Sequence, residues 1–462
     1  MLFNSRLFIL AFLPLALGGF LALGRWRRAS LWWLLGCSLF FYAWWKPELL
    51  ALLLASIGVN YALARLVRQR AWLVAGLAFN LGLLGWFKYA GMFGLPGVVL
   101  PLGISFFTFQ QIMFLVDSYK GEVKRPPFLD YACFIAFFPH LIAGPIVRPS
   151  HILPQLAALA PRQDVKVRLT QGVEIFLLGL AKKIVLADGL SRFADPGFAA
   201  VARGDAISLI EAWVALLAYA LQIYFDFSGY SDMAIGLARM FGISFPLNFR
   251  SPYQARDISD FWRRWNITLS MFLRDYLYIP LGGNRHGEGK RIRNLMATML
   301  LGGLWHGAAW RFVLWGGLHG VFLVVHGWCK GLRIPRGVSW AITLLAVTLA
   351  WVPFRATSFG AAVQMYRGLF GLNGLAVPAM LAKVIPFGHV VPVLPYLGDA
   401  RNMSLPQGVL LLALGWFVAL ALPDLHSMGV RRRSVALVAS FAFSMQALFF
   451  APAAIPFLYF QF

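Results

Sequence analysis

Charge is the first thing this chain lacks. Asp, Glu, Lys and Arg make up 13% of its 462 residues and hydrophobic residues 60%, whereas soluble globular proteins carry roughly 25% charged residues. The deficit runs along the whole length, which excludes a soluble enzyme with one anchor and points to a polytopic membrane protein. Acidic residues are scarcer still, 18 against 41 Lys and Arg, for a net charge of +23. In a soluble chain that balance would suggest nucleic acid. Among long apolar runs it reads as the positive-inside bias of cytoplasmic loops and attraction to anionic membrane lipids, with no nucleic-acid partner. A cationic mouth for an anionic substrate is the other reading. Cysteine is nearly absent: Cys37, Cys133 and Cys329 are far apart, with no metal-ligand spacing and no disulfide framework. There is no Walker A loop, nucleophile elbow, Cys-x-x-Cys or His-Glu-x-x-His, so the chemistries those motifs carry lack their groups.

What is present is apolar length. Apolar segments lie near 7–24, 31–45, 48–65, 71–87, 97–117, 128–147, 170–188, 206–225, 230–247, 294–328, 338–354, 406–423 and 434–450. At about 20 residues per span they suffice for roughly ten to twelve membrane passes. Several are short or interrupted, as at Pro96, Pro101 and Gly103, and predict re-entrant pieces. Irregular backbone survives at membrane depth only under cover of protein or beside a water-filled cavity. The first run, Leu7 to Leu23, exceeds a signal-peptide core and reads as a retained membrane helix. Arg25, Arg27 and Arg28, then Arg65, Arg68 and Arg70, then Arg431, Arg432 and Arg433 fall on one side, cytoplasmic if the N-terminus is outside. No internal repeat is evident. The expectation is an all-α, polytopic, single membrane domain over 1–462.

The segment from Asp257 to Gly320 departs from this background by concentrating charge, Trp, Asn and His. Ionisable groups are costly in hydrocarbon, so such a cluster is a functional-site candidate. His306 sits among Gly302, Gly303, Gly307, Ala308 and Ala309, where it is either a general base for a hydroxyl or an interhelical packing residue. His319 follows thirteen residues later; on one straight helix it would point nearly opposite to His306, roughly 20 Å along the axis. His319 and His326 share a face but lack a nearby carboxylate in sequence, so no metal site is expected. Asn266 is either a substrate-orienting or oxyanion donor, or a helix–helix hydrogen bond. Arg263, Arg264, Arg274 and Asp275 suit an amphipathic surface helix or phosphate capture. Asp226 and Asp232 read as structural partners of buried arginines such as Arg239 rather than an acid–base pair, and His140 reads as a packing or cavity residue.

Several long motifs, in order, resemble the membrane-bound O-acyltransferase family, in particular its bacterial branch for alginate and cellulose O-acetylation and teichoic-acid D-alanylation. They are Phe137-Phe138-Pro139-His140 with Ala143-Gly144-Pro145-Ile146, the run Tyr224 to Asp232, Asn248-Phe249 with Ser251-Pro252-Tyr253, Asp260 to Trp265, Leu273 to Arg285, and Leu304 to Trp310. They form a core of about 137–320. The resemblance implies helices around a central tunnel, with His306 on the family's essential histidine. Asn266 stands where this branch usually carries a second His in a Trp-His-Ile-Ser-Leu run, which puts a mechanism needing two imidazoles in doubt.

On that resemblance the expected activity is O-acetyl transfer from a cytoplasmic acyl thioester such as acetyl-CoA, with no bound cofactor, toward hydroxyls of a secreted exopolysaccharide. The expected place is the bacterial inner membrane, with an extracytoplasmic acetyltransferase partner completing delivery. His306 and Asn266 are the candidate catalytic residues. Arg263, Arg264, Trp265, Arg274, Asp275, Trp305 and His319 are the candidate binding residues. Two other readings stay open: a transporter of acetyl groups or polysaccharide, and a non-catalytic scaffold of a polysaccharide synthesis complex.

Overall fold

The computed structural model describes residues 1–95, 99–378, 389–391, 405–429, 433, 435–438 and 455–458. Most of the apolar segment 434–450, with Pro96, Arg431 and Arg432, lies outside the described residues. The structure is helical; strand pairing among the described residues is limited to a parallel ribbon of Ala376–Pro378 against His389–Val391. Five described helices are long and apolar enough to cross a membrane: Phe8–Arg25, Arg70–Phe93, Leu209–Met240, Trp310–Gly331 and Arg336–Arg355. Shorter apolar helices, Glu48–Leu63 and Gly408–Ala421, accompany them.

The remaining apolar windows are broken for local reasons. Segment 128–147 divides into Phe128–Ala136 and Phe138–Leu141 because Phe137, two residues before Pro139, leaves the helical region at ψ 110°. Segment 170–188 becomes Val165–Ala181 followed by a π-type stretch, Lys182–Ala187. By contrast, segments 206–225 and 230–247 do not separate at the Tyr224–Asp232 motif. They join in one helix, Leu209–Met240, of 32 residues, about 48 Å at 1.5 Å per residue.

The chain divides into two compact units, and that long helix contributes to both. The first comprises Met1–Ala181, Ser228–Asn248 and Met428–Gln461. Its core is phenylalanine-rich: Phe3 packs on Phe8 at 4.9 Å between centroids, Phe41 on Phe138 at 5.5 Å, and Tyr230 stacks on Phe3 at 4.9 Å. Several of its buried polar groups pair. Asn60 and Asn80 exchange side-chain amide hydrogen bonds of 3.2 and 2.6 Å, and Arg27 meets Asp130 at 2.7 Å. His140 lies buried against Phe134, Phe137 and Phe245, with Nε2 2.8 Å from the Phe134 carbonyl, a packing role.

The second unit comprises Lys182–Phe227, Phe249–Ser427 and Phe462. Its helix Trp310–Trp328 shows how sequence sets its faces. Phe312, Trp315, Gly316, His319, Gly320 and Val324 are buried, while Leu314, Val321, Val325 and Trp328 are exposed. Large apolar side chains on the outer face of a helix suit a hydrocarbon surround rather than water.

Gly103 in the first unit supplies a test of close packing. It begins helix Ile104–Lys120 at φ +74°, and a Cβ there would overlap the Leu141 carbonyl oxygen. Left-handed backbone costs a non-glycine residue about 1–2 kcal/mol before any overlap. Gly103→Ala is expected to lower the thermal midpoint of detergent-solubilised protein more than Gly204→Ala, where φ is +91° but the added methyl meets open space. Equal shifts would mean that the Gly103–Leu141 approach contributes nothing.

Candidate active site

The site lies within the second unit and starts from two short helices. Asp257 caps Ile258–Trp262 by accepting the Asp260 amide at 2.8 Å. Asn266 then adopts left-handed geometry, φ 42° and ψ 53°, and opens Ile267–Leu273. Asn tolerates this region better than most residues. The turn buries Trp265 and Asn266 and leaves Arg263 exposed.

Two longer helices, Glu288–His306 and Trp310–Trp328, complete it. The sequence suggested one helix across His306 and His319. Instead the chain breaks at Gly307–Ala309, where both ends of the break are extended, φ −171° at Gly307 and −151° at Ala309. The helices then pack back against each other through glycine. A Cβ on Gly303 would overlap the Phe312 carbonyl, and one on Gly316 the Met299 carbonyl. The opposite-facing geometry held only for one straight helix, and the break removes that condition.

Both now pack on one indole. The Trp315 ring lies 5.1 Å from the His306 ring and 4.7 Å from the His319 ring. His306, the last residue of its helix, is also flanked by Trp305 at 5.0 Å and Phe354 at 5.3 Å. Arg311 holds Phe354 in place by donating to its carbonyl at 2.8 Å. His319 sits between Trp262 at 5.1 Å and Phe261 at 6.1 Å. Trp265 stacks on Phe261 at 5.6 Å and meets Trp351 at 4.9 Å, and Trp351 lies 5.7 Å from Trp315. Trp265, Trp305, His306 and His319 therefore belong to one aromatic cluster, and Asn266 follows Trp265 directly.

Several polar atoms in this cluster lack partners among the described residues. Asn266 Nδ2, both ring nitrogens of His319, and the indole nitrogens of Trp262 and Trp315 are buried with no hydrogen bond among the described residues. Buried polar atoms are usually paired, and each unpaired one costs about 1–3 kcal/mol. Unpaired buried polar atoms lower stability, which makes the cluster a candidate for recognition or chemistry.

The basic candidates lie elsewhere on the unit. Arg263 and Arg274 are exposed; Arg274 pairs with its neighbour Asp275 at 2.6 Å, and Arg264 pairs with Asp260 at 3.0 Å. Burial opposes charge on Asp260, but the Arg256 amide and the Arg264 guanidinium outweigh it and hold the carboxyl below the usual range. His326, expected to lack a carboxylate, has Asp257 at 3.7 Å. No cluster of three or more metal-ligating side chains forms among the described residues.

Sequence reasoning missed two groups. Trp351 and Phe354, which wall the cluster from helix Arg336–Arg355, gave no signal in an ordinary apolar run. Lys183 did give one, being a lysine inside an apolar segment. Its ammonium lies 2.6 Å from Asp188 and 2.7 Å from Asp226, so Lys183, not Arg239, is the cation that Asp226 meets.

These features define a multi-pass helical protein with a buried imidazole in an aromatic wall. The family profile of membrane-bound O-acyltransferases matches residues 26–348, and the chain belongs to that family; it is an O-acyltransferase. A peptidoglycan O-acetyltransferase of Helicobacter pylori is 43% identical over 82% of this chain and 81% of its own length. A probable alginate O-acetylase of Azotobacter vinelandii is 36% identical over the full length of both chains. A teichoic acid D-alanyltransferase of Streptococcus thermophilus is 30% identical over 49% of this chain and 56% of its own.

Removing one partner of a buried ion pair strands the other, at a cost of about 3–5 kcal/mol. Lys183→Met is therefore expected to reduce the amount of folded protein in membranes severely. Adding Asp188→Asn and Asp226→Asn should restore much of it, as read by quantitative immunoblot and detergent-extracted monodispersity. Normal levels in the single variant would remove the structural role assigned to this cluster.

Proposed function

We propose that this enzyme transfers an acetyl group from a thioester donor such as acetyl-CoA toward hydroxyl groups of a secreted polysaccharide, with His306 as general base. The observation that supports this reading best is the buried His306 imidazole, fixed at the end of its helix by Trp305, Trp315 and Phe354. The activities that the relatives are named for, O-acetylation of peptidoglycan and of alginate, support acetyl as the group and a glycan as the destination.

In the proposed reaction the neutral imidazole accepts the proton of the acceptor hydroxyl as its oxygen attacks the thioester carbonyl. The tetrahedral intermediate collapses with cleavage of the carbon–sulfur bond. The thiolate leaves and takes up a proton, and His306 returns to its neutral form. Asn266 Nδ2, a buried donor without a partner among the described residues, supports the developing oxyanion. Arg263, exposed and without an ion pair among the described residues, suits the charged end of the donor, with Arg264 and Arg274 beside it on the chain. The thioester is a substrate, not a resident cofactor. Place and delivery complete the reading: the bacterial inner membrane, the donor on the cytoplasmic face, and an extracytoplasmic acetyltransferase receiving the group or carrying it onward.

The test is the O-acetyl content of the cell's exopolysaccharide at matched membrane levels of enzyme. A positioned general base contributes about 10²–10⁴-fold, so His306→Ala is expected to abolish acetylation. Loss of an oxyanion donor costs about 10²–10³-fold, the expectation for Asn266→Ala. Undiminished acetylation in His306→Ala would overturn the mechanism.

A further inference from the structure

A cavity of about 430 Å³ opens in the first unit, between the start of helix Val165–Ala181 and the turn that ends Leu209–Met240. Arg168 and Arg239 line it, with Gln163, Asp164, Gln171 and Gly242. Arg168 is only 9% exposed. Its terminal nitrogens donate to the backbone carbonyls of Pro161 and Ala160, and its Nε has no partner among the described residues. Gly242, at φ +82°, lies against that guanidinium, and a Cβ there would crowd Nη1. Arg239 holds its place by donating from Nε and Nη2 to Gln171 Oε1 at 3.1 and 2.6 Å.

No carboxylate comes within ion-pair distance of Arg168 or Arg239 among the described residues. Arg168 is buried, and a buried charge is ordinarily paired, while Arg239 is exposed. Asp164, which interacts with Arg168, is the single carboxylate lining the cavity against two guanidinium groups, so positive charge is in excess. The first-turn amides of Val165–Ala181 add a partial positive charge of their own. Arginine presents planar paired donors that fit phosphate oxygens.

Arg162, the chain neighbour of the lining residue Gln163, donates to the carbonyls of Leu21 and Ala22 at 3.4 and 3.1 Å, next to the turn that carries Arg25, Arg27 and Arg28. With the N-terminus outside, the charge rule puts that turn on the cytoplasmic face. Phosphate esters on that face come from two sources, the headgroups of anionic lipids and soluble coenzymes.

We propose that this cavity binds a phosphate ester through Arg168 and Arg239. The site is separate from the proposed chemistry at His306 and needs no assumption about catalysis. The full-length protein in neutral detergent is titrated with phosphatidylglycerol in one arm and with coenzyme A in another, binding being read by thermal midpoint and native mass spectrometry. Arg239→Gln removes a cation whose side-chain partner among the described residues is Gln171. Arg203→Gln, exposed and paired with Asp205 at 2.8 Å, removes the same charge elsewhere.

Saturable binding is expected in at least one arm, weakened about tenfold or more by Arg239→Gln, as for a lost charge-assisted contact, and unchanged by Arg203→Gln. A response to the lipid alone identifies a headgroup site, and a response to coenzyme A alone a soluble phosphate site. His306→Ala should bind as the wild type does. Arg168→Gln, checked for an unchanged elution profile, should weaken binding further; if it fails to fold, Arg239→Gln carries the test. No saturable binding in either arm, or equal weakening by Arg239→Gln and Arg203→Gln, overturns the proposal.

Discussion

The backbone approach of Gly303 to Gly316 is the constraint on which the candidate active site depends. Neither position has room for a Cβ, since the Phe312 and Met299 carbonyls occupy that space. In a membrane, helices associate through such close packing, because lipid offers apolar side chains no less than a neighbouring helix does. The approach fixes the hairpin at a short separation and so decides what the first helix delivers at its end. His306 arrives beside Trp315 rather than a helix length away from His319.

That rigidity is what lets the cluster hold polar atoms without partners. Asn266 Nδ2, the His319 nitrogens and two indole N–H groups sit buried and unpaired among the described residues. A looser scaffold would turn these groups toward one another or toward water. Here Trp262, Trp315 and Phe261 enclose His319 on several sides, and Trp351 and Phe354 close the wall from a third helix. The charged groups of the same stretch take the opposite course. Arg264 and Arg274 reach Asp260 and Asp275 near the surface, so the charged side chains and the buried imidazoles fall to different parts of one segment.

Much of this is legible in the sequence. The charge deficit and apolar runs gave the helical membrane class, and the Asp257–Gly320 concentration of Trp, Asn and His marked the cluster. The geometry inside it was not legible. A run such as 294–328 is uniformly apolar on both sides of Gly307, so hydropathy carries no sign of a reversal there. The Tyr224–Asp232 motif misled in the other direction: its polar residues look like a boundary, but Lys183 meets Asp226 and the helix continues. Trp351 and Phe354 were invisible because a wall residue in an apolar helix differs from its neighbours only by the face it occupies. Arg168 and Arg239 lie seventy-one residues apart in sequence, and only folding gives them a common cavity.

The central claim is that His306, in its neutral form, takes the proton of the attacking hydroxyl. Single-turnover acyl transfer from a thioester to a model acceptor, followed against pH with purified wild type and His306→Gln, tests it most directly. The account predicts a wild-type rate that falls on the acid side as one group takes up a proton. In His306→Gln the rate should be lower by about 10²-fold or more, with that limb gone. A His306→Gln enzyme that kept the wild-type rate and the same acid limb would place the general base elsewhere and contradict the account.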